Sequence, residues 1–249
     1  MPQAAFASVA LADGVVVTTS TANDYTFNTT THYWSVVAVG TAVDYDLRLY
    51  DGGNMLLGSS TYGTGTTDFV AINSNLRNLG SYRASVNLYS GSGNYNVEQR
   101  QGRSMMNLPW PANDGVSGAG DPDLGFATVM STDVISVADI WLNAGEQFWA
   151  KVSGINAGFF FLESNPADSA TFIRSRVQAV LVPGTSSAQG CMLYTANYTG
   201  WHGLVVVNPD PPQATNPPSG VGYALHRMDP SRPNTCPQRN FPGPTPPGP

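Results

Sequence analysis

Charge is scarce in this sequence, and lysine is almost missing. Only 11% of its residues are charged, against roughly a quarter in an average soluble domain, and Lys151 is the single lysine among 11 basic residues. With a formal net charge of −6 and a pI near 4.8, the chain has no cluster of Lys and Arg with which to neutralise phosphates. That excludes a nucleic-acid partner and disfavours an anionic membrane surface. No apolar run approaches the roughly 20 residues that cross a bilayer, so no membrane span is expected. The opening MPQAAFASVALADG lacks a basic stretch ahead of its apolar residues, and no signal peptide is expected within the chain as given.

Chemistry-bearing motifs are equally sparse. His32, His202 and His226 fall in separate segments, and neither His-x-x-x-His nor Cys-x-x-Cys spacing occurs, which argues against zinc. No G-x-S-x-G elbow is present, and Gly91-Ser92-Gly93 reads as a turn. Neither a cofactor nor catalysis is expected. An enzyme remains the third reading, because paired carboxylates for glycoside hydrolysis can converge from distant strands. Cysteine is limited to Cys191 and Cys236. Bridged, they would tie the Pro-rich end of the chain to its second half, worth about 4 kcal/mol in the chain-entropy model. Two buried thiols are the alternative.

What the chain has in quantity is turn residues, 26 Gly and 19 Pro with abundant Ser, Thr and Asn, interleaved with β-branched and aromatic runs. The stretch from Thr31 to Tyr50 reads as two antiparallel strands meeting at Gly40-Thr41. In its second run Tyr45, Leu47 and Leu49 share one face, while Asp46, Arg48 and Tyr50 share the other. Its first run, from Trp34 to Val39, is apolar on nearly both faces and reads as central. Gly80 to Tyr89 alternates in the same way, and Ser90 to Gly93 is expected to turn it as a hairpin into Asn94 to Glu98.

The design recurs. Gly145 to Gly154 followed by Gly158 to Asn165 aligns Trp149 with Trp34 and Gly154 with Gly40, and Gly200 to Val207 matches Gly80 to Leu88. The expected organisation is an N-terminal arm or first strand (1–22), a β unit (23–100), a linker (101–132), a second, divergent β unit (133–228) and a Pro-rich tail (229–249). Trp34, Trp141, Trp149 and Trp201 are expected in cores, where each buries a large apolar area. Trp110, between Pro109 and Pro111, reads as an anchor for a partner.

The blocks DYDLRLYDGGNMLLGSS, TDFVAINSN and GSYRASVNLYSGSGNYNVE resemble the bacterial pre-peptidase C-terminal domain, over about residues 24–100 directly and 133–228 through the internal repeat. The resemblance implies an all-β fold of two tandem jelly-roll-like β-sandwiches, extracellular life and no catalysis. The second unit departs from it by replacing the acidic strand Asp44 to Asp51 with Gly158 to Glu163, which presents several aromatic rings. Asp44, Asp46 and Asp51 with Asn54 offer oxygens to a calcium ion. Their spacing does not make a compact loop, so turn capping or pairing with Arg48 is the favoured reading. Asn28 and Asn197 head glycosylation sequons.

The leading functional expectation is a non-catalytic extracellular structural protein, a homo-oligomer or filament subunit. Its arm (Phe6, Val9, Leu11, Val15, Val17), Trp110 and its tail (Phe241) would dock on neighbouring copies by strand addition and anchoring. The alternative is an accessory module of a secreted hydrolase system, binding polysaccharide or protein, with a glycan as partner.

Overall fold

The computed structural model describes residues 8–31, 34–41, 43–64, 66–73, 80–102, 126–130, 134–153, 157–163, 171–173, 178–181, 189–208 and 221–227. Trp110, Phe6, Phe241, Cys236 and nearly all of the expected linker and tail lie outside them. The fold is all-β. In chain order the strands are β1 (Val9–Ala10), β2 (Val16–Thr19), β3 (Asn23–Thr29), β4 (Trp34–Thr41), β5 (Asp44–Asp51), β6 (Leu56–Ser60), β7 (Asp68–Asn73), β8 (Gly80–Ser90), β9 (Tyr95–Gln101), β10 (Phe126–Met130), β11 (Ile135–Leu142), β12 (Gln147–Ser153), β13 (Gly158–Leu162), β14 (Thr171–Ile173), β15 (Gln178–Leu181), β16 (Gln189–Thr195), β17 (Gly200–Val207) and β18 (Val221–Arg227).

They form four sheets: sheet I, β1-β3-β8-β5-β6; sheet II, β14-β7-β4-β9-β2; sheet III, β11-β17-β13-β15; and sheet IV, β10-β18-β12-β16. The order β3-β8-β5-β6 in sheet I recurs as β11-β17-β13-β15 in sheet III. The order β7-β4-β9-β2 in sheet II recurs as β16-β12-β18-β10 in sheet IV. Trp34 and Trp149 thus sit on corresponding strands, β4 and β12.

Burial sets the layers. Tyr25, Phe27, Leu47 and Val86 of sheet I pack on Val37, Val39, Val70 and Val97 of sheet II. Ile140, Phe159, Phe161 and Leu204 of sheet III pack on Ala150, Val152 and Tyr194 of sheet IV. A further core lies between the inner sheets, where Trp34, Val36, Ala38, Phe69 and Ala71 of sheet II meet Val137, Phe160, Leu162, Val205 and Val207 of sheet III. Sheets II and III are therefore apolar on both faces, and the phenylalanines of β13 are packed away rather than presented: Phe159 and Phe161 face one core and Phe160 the other. Strand β14, from the long connection after β13, adds to β7 of sheet II and so crosses between the two sets of strands.

Two expected hairpins are corrected. Strand β4 hydrogen-bonds to β7 and β9, whereas β5 bonds to β6 and β8, so the chain near Gly40 arches from one sheet to the other. The same holds for β8 and β9, whose Gly91 and Gly93 lie close against Val43 in the crossing. Alternation specifies which face of a strand is buried, but not which sheet supplies its neighbour.

The arm is corrected too. Strand β1 pairs in parallel with β3 (Val9 opposite Tyr25), β2 pairs with β9 (Val17 opposite Val97), and Leu11 is buried in the core between sheets I and II with Val17 packed against it. Val9 and Val15 stay about two-fifths exposed. The arm completes its own sheets, because self-pairing satisfies its backbone groups without the entropic cost of recruiting a second chain.

Candidate functional site

The densest polar chemistry among the described residues lies at the joint between sheets II and III. Trp34 begins β4 with its indole fully buried. Its backbone N–H donates to Asp139 Oδ1 of β11 at 2.9 Å, and its Nε1 donates to the carbonyl of Trp201 at 3.3 Å. The carbonyl of Trp34 accepts from the N–H of Gly102 at 2.6 Å. Neither glycine that flanks this joint can be replaced without movement. A Cβ on Gly102 would fall 1.6 Å from Asp139 Oδ2, and one on Gly203 would fall 2.7 Å from Trp34 Cγ.

A second carboxylate runs in the opposite direction. Glu98 of β9, fully buried, accepts from the N–H groups of Val134 (2.7 Å) and Ile135 (3.2 Å) at the start of β11, and its other oxygen pairs with Arg100 Nε at 2.6 Å. Each half of the molecule thus lends one buried carboxylate to the backbone of the other. Glu98 is held by several donors, as a buried charge must be. Asp139 is held by one. Its Oδ2 has no hydrogen-bond partner. Burial is the dominant cause that pushes its carboxyl up to about 8, opposed by the Trp34 N–H.

The remaining candidates separate by position. Asp51 caps a turn: its Oδ1 accepts from Gly53 N (2.9 Å) and Met55 N (2.8 Å) around Asn54, whose φ is 62°. Burial, then the neighbouring Asp44 charge, pushes the Asp46 carboxyl up, and Ser90 Oγ donates to Asp44 at 3.5 Å. No group of three or more His, Cys, Asp or Glu able to hold a metal occurs among the described residues. His202 is buried beneath Tyr194, with Nδ1 2.9 Å from the Gly200 carbonyl and Nε2 unpartnered, and burial lowers its pKa. A histidine in that state is a neutral core group.

Asn28 and Asn197 are both exposed, and Asn197 Nδ2 donates to Glu163 Oε1 at 2.7 Å. Cys191 is disulfide-bonded. Its neighbours Met192 and Tyr194 pack toward the core between sheets III and IV.

The tryptophans do not all behave as expected. Trp34 is a core residue, but Trp141 is 48% exposed and forms an edge-to-face pair with the half-buried Trp201 across β11 and β17, centroids 5.7 Å apart. Trp149 is also half-buried. Strand alternation hid this, since Trp141 lies on the same face of β11 as Val137 and Asp139 but past the point where Trp34 ends the cover.

The architecture defines an all-β protein of layered sheets. No protein-family model matches the chain, and no curated protein matches it. Among solved structures it is similar to a candidate secreted protein from Eubacterium rectale (TM-score 0.30, 7% identity, 89% of this chain and 80% of that one). Others are a conserved protein of unknown function from Pseudomonas aeruginosa (0.22, 8%, 86% and 80%) and the exported protein XepA of PBSX (0.27, 12%, 85% and 86%). Overlays this loose assign neither family nor activity. No described helix is long and apolar enough to cross a membrane.

Proposed function

We propose that the chain is a non-catalytic extracellular structural protein, two units of pre-peptidase C-terminal type stacked into one stiff body. The observation that carries this reading is the apolar core between sheets II and III, which makes a four-layer block of what two separate sandwiches would otherwise be. An extracellular setting is supported by the bonded Cys191, the two exposed sequon asparagines and the near-absence of lysine. Within the chain, Cys236 is the sole partner open to Cys191.

With the arm committed to its own sheets, assembly into a homo-oligomer or filament falls to the segment after Arg227. Light scattering and electron microscopy of the intact chain, beside one ending at Arg227, test this. Assemblies lost on truncation support it, and a monodisperse monomer in both cases removes it.

A second reading, a glycan-binding accessory module, is favoured by the Trp141–Trp201 pair, because an exposed indole offers a flat apolar face to a sugar ring. Glycan-array binding lost in Trp141→Ala would support the module. An array with no bound glycan would discard it.

A further inference from the structure

We propose that the joint between sheets II and III is a proton-tightened clasp, in which Asp139 holds the Trp34 backbone when protonated and releases it as the carboxyl ionises. The geometry is the ground for this. Asp139 reaches across from β11 into an apolar core, finds one donor in Trp34 N–H at 2.9 Å, and leaves Oδ2 buried without a partner against Gly102. A neutral carboxyl tolerates that setting far better than a carboxylate does.

Among the described residues, no cation is paired with it. Strand β4 carries no ionisable side chain. On β9, Arg100, two residues before Gly102, is paired with Glu98 at 2.6 Å. On β17 the residue opposite Asp139 is Gly203, and the adjacent His202 turns into the other core. From β13 come Phe160 and Leu162, and Asp68 of β7 is bonded to Ser60 and to Tyr62 N. Glu98 differs in accepting from three donors on its two oxygens, where Asp139 has one.

The direction follows from linkage. Closed, the carboxyl titrates at about 8; open to water, it titrates near the ordinary value of about 3.9. The closed state therefore binds the proton more tightly. Opening grows about tenfold per pH unit between these values and levels off above the higher one.

The experiment is amide hydrogen exchange at Trp34 from pH 5 to 9.5, with each rate divided by its intrinsic exchange rate, in the intact chain and in Asp139→Asn. The asparagine keeps an acceptor for Trp34 N–H and cannot ionise. The chain is expected to lose protection about tenfold per unit up to about pH 8 and then plateau, with the variant flat throughout. Protection independent of pH in the chain, or a variant that follows the same slope, overturns the proposal. Glu98→Gln is the second control: it should keep the slope while lowering protection overall, and a slope abolished by that change instead would also overturn it.

Discussion

Replacing Trp34 by alanine empties the centre of the joint. The side chain is fully buried and meets Gly203 and Leu162 across the sheet II to sheet III core. Its loss combines transfer of a large aromatic surface with a cavity that two stiff sheets cannot collapse, a cost of about 3–5 kcal/mol. It also strips the Trp201 carbonyl of its Nε1 donor, adding about 1 kcal/mol. Urea denaturation at pH 6, where Asp139 is largely protonated, is the assay, with stability taken at unchanged slope. A loss of several kcal/mol is expected. If Trp34→Ala costs less than about 1 kcal/mol, the inner core contributes little and the block behaves as two loosely apposed sandwiches.

Gly203→Ala drives a Cβ into the Trp34 ring and should cost about 1–3 kcal/mol in the same assay. Glu98→Ala removes the buried ion pair with Arg100 and the acceptor for the Val134 and Ile135 amides, for an expected loss of about 3–5 kcal/mol. Asp51→Ala removes two turn hydrogen bonds at the exposed Asp51 to Met55 loop, an expected loss of about 1–2 kcal/mol. Trp141→Ala, by contrast, should move stability by less than about 1 kcal/mol, since nearly half of that ring is already in water.

The strands themselves were readable. The alternation of Tyr45, Leu47 and Leu49 against Asp46, Arg48 and Tyr50 survives as the buried and outer faces of β5, and the Trp34 to Trp149 alignment falls on corresponding strands. The apolar runs on both faces of β4, β13 and β17 were the trace of a doubly covered sheet. Yet Phe159-Phe160-Phe161 looks the same whether its second face meets a partner, a ligand or the rest of its own chain. The clasp left still less trace. Asp139 stands in a strand as an ordinary outward acid would, and Glu98 sits in a run whose alternation says nothing of a buried carboxylate. Their burial depends on where a distant sheet lands. The arm was misjudged for a related reason, because Val9, Leu11 and Val17 suit any free sheet edge and the nearest one belonged to the same molecule.

The claim that one inner core fuses both halves is tested most directly by hydrogen exchange under increasing urea, following β8 and β12 as reporters of the two halves. Loss of protection in both strands at one urea concentration is the predicted result. Two separate midpoints, with β12 released while β8 remains protected or the reverse, would contradict it.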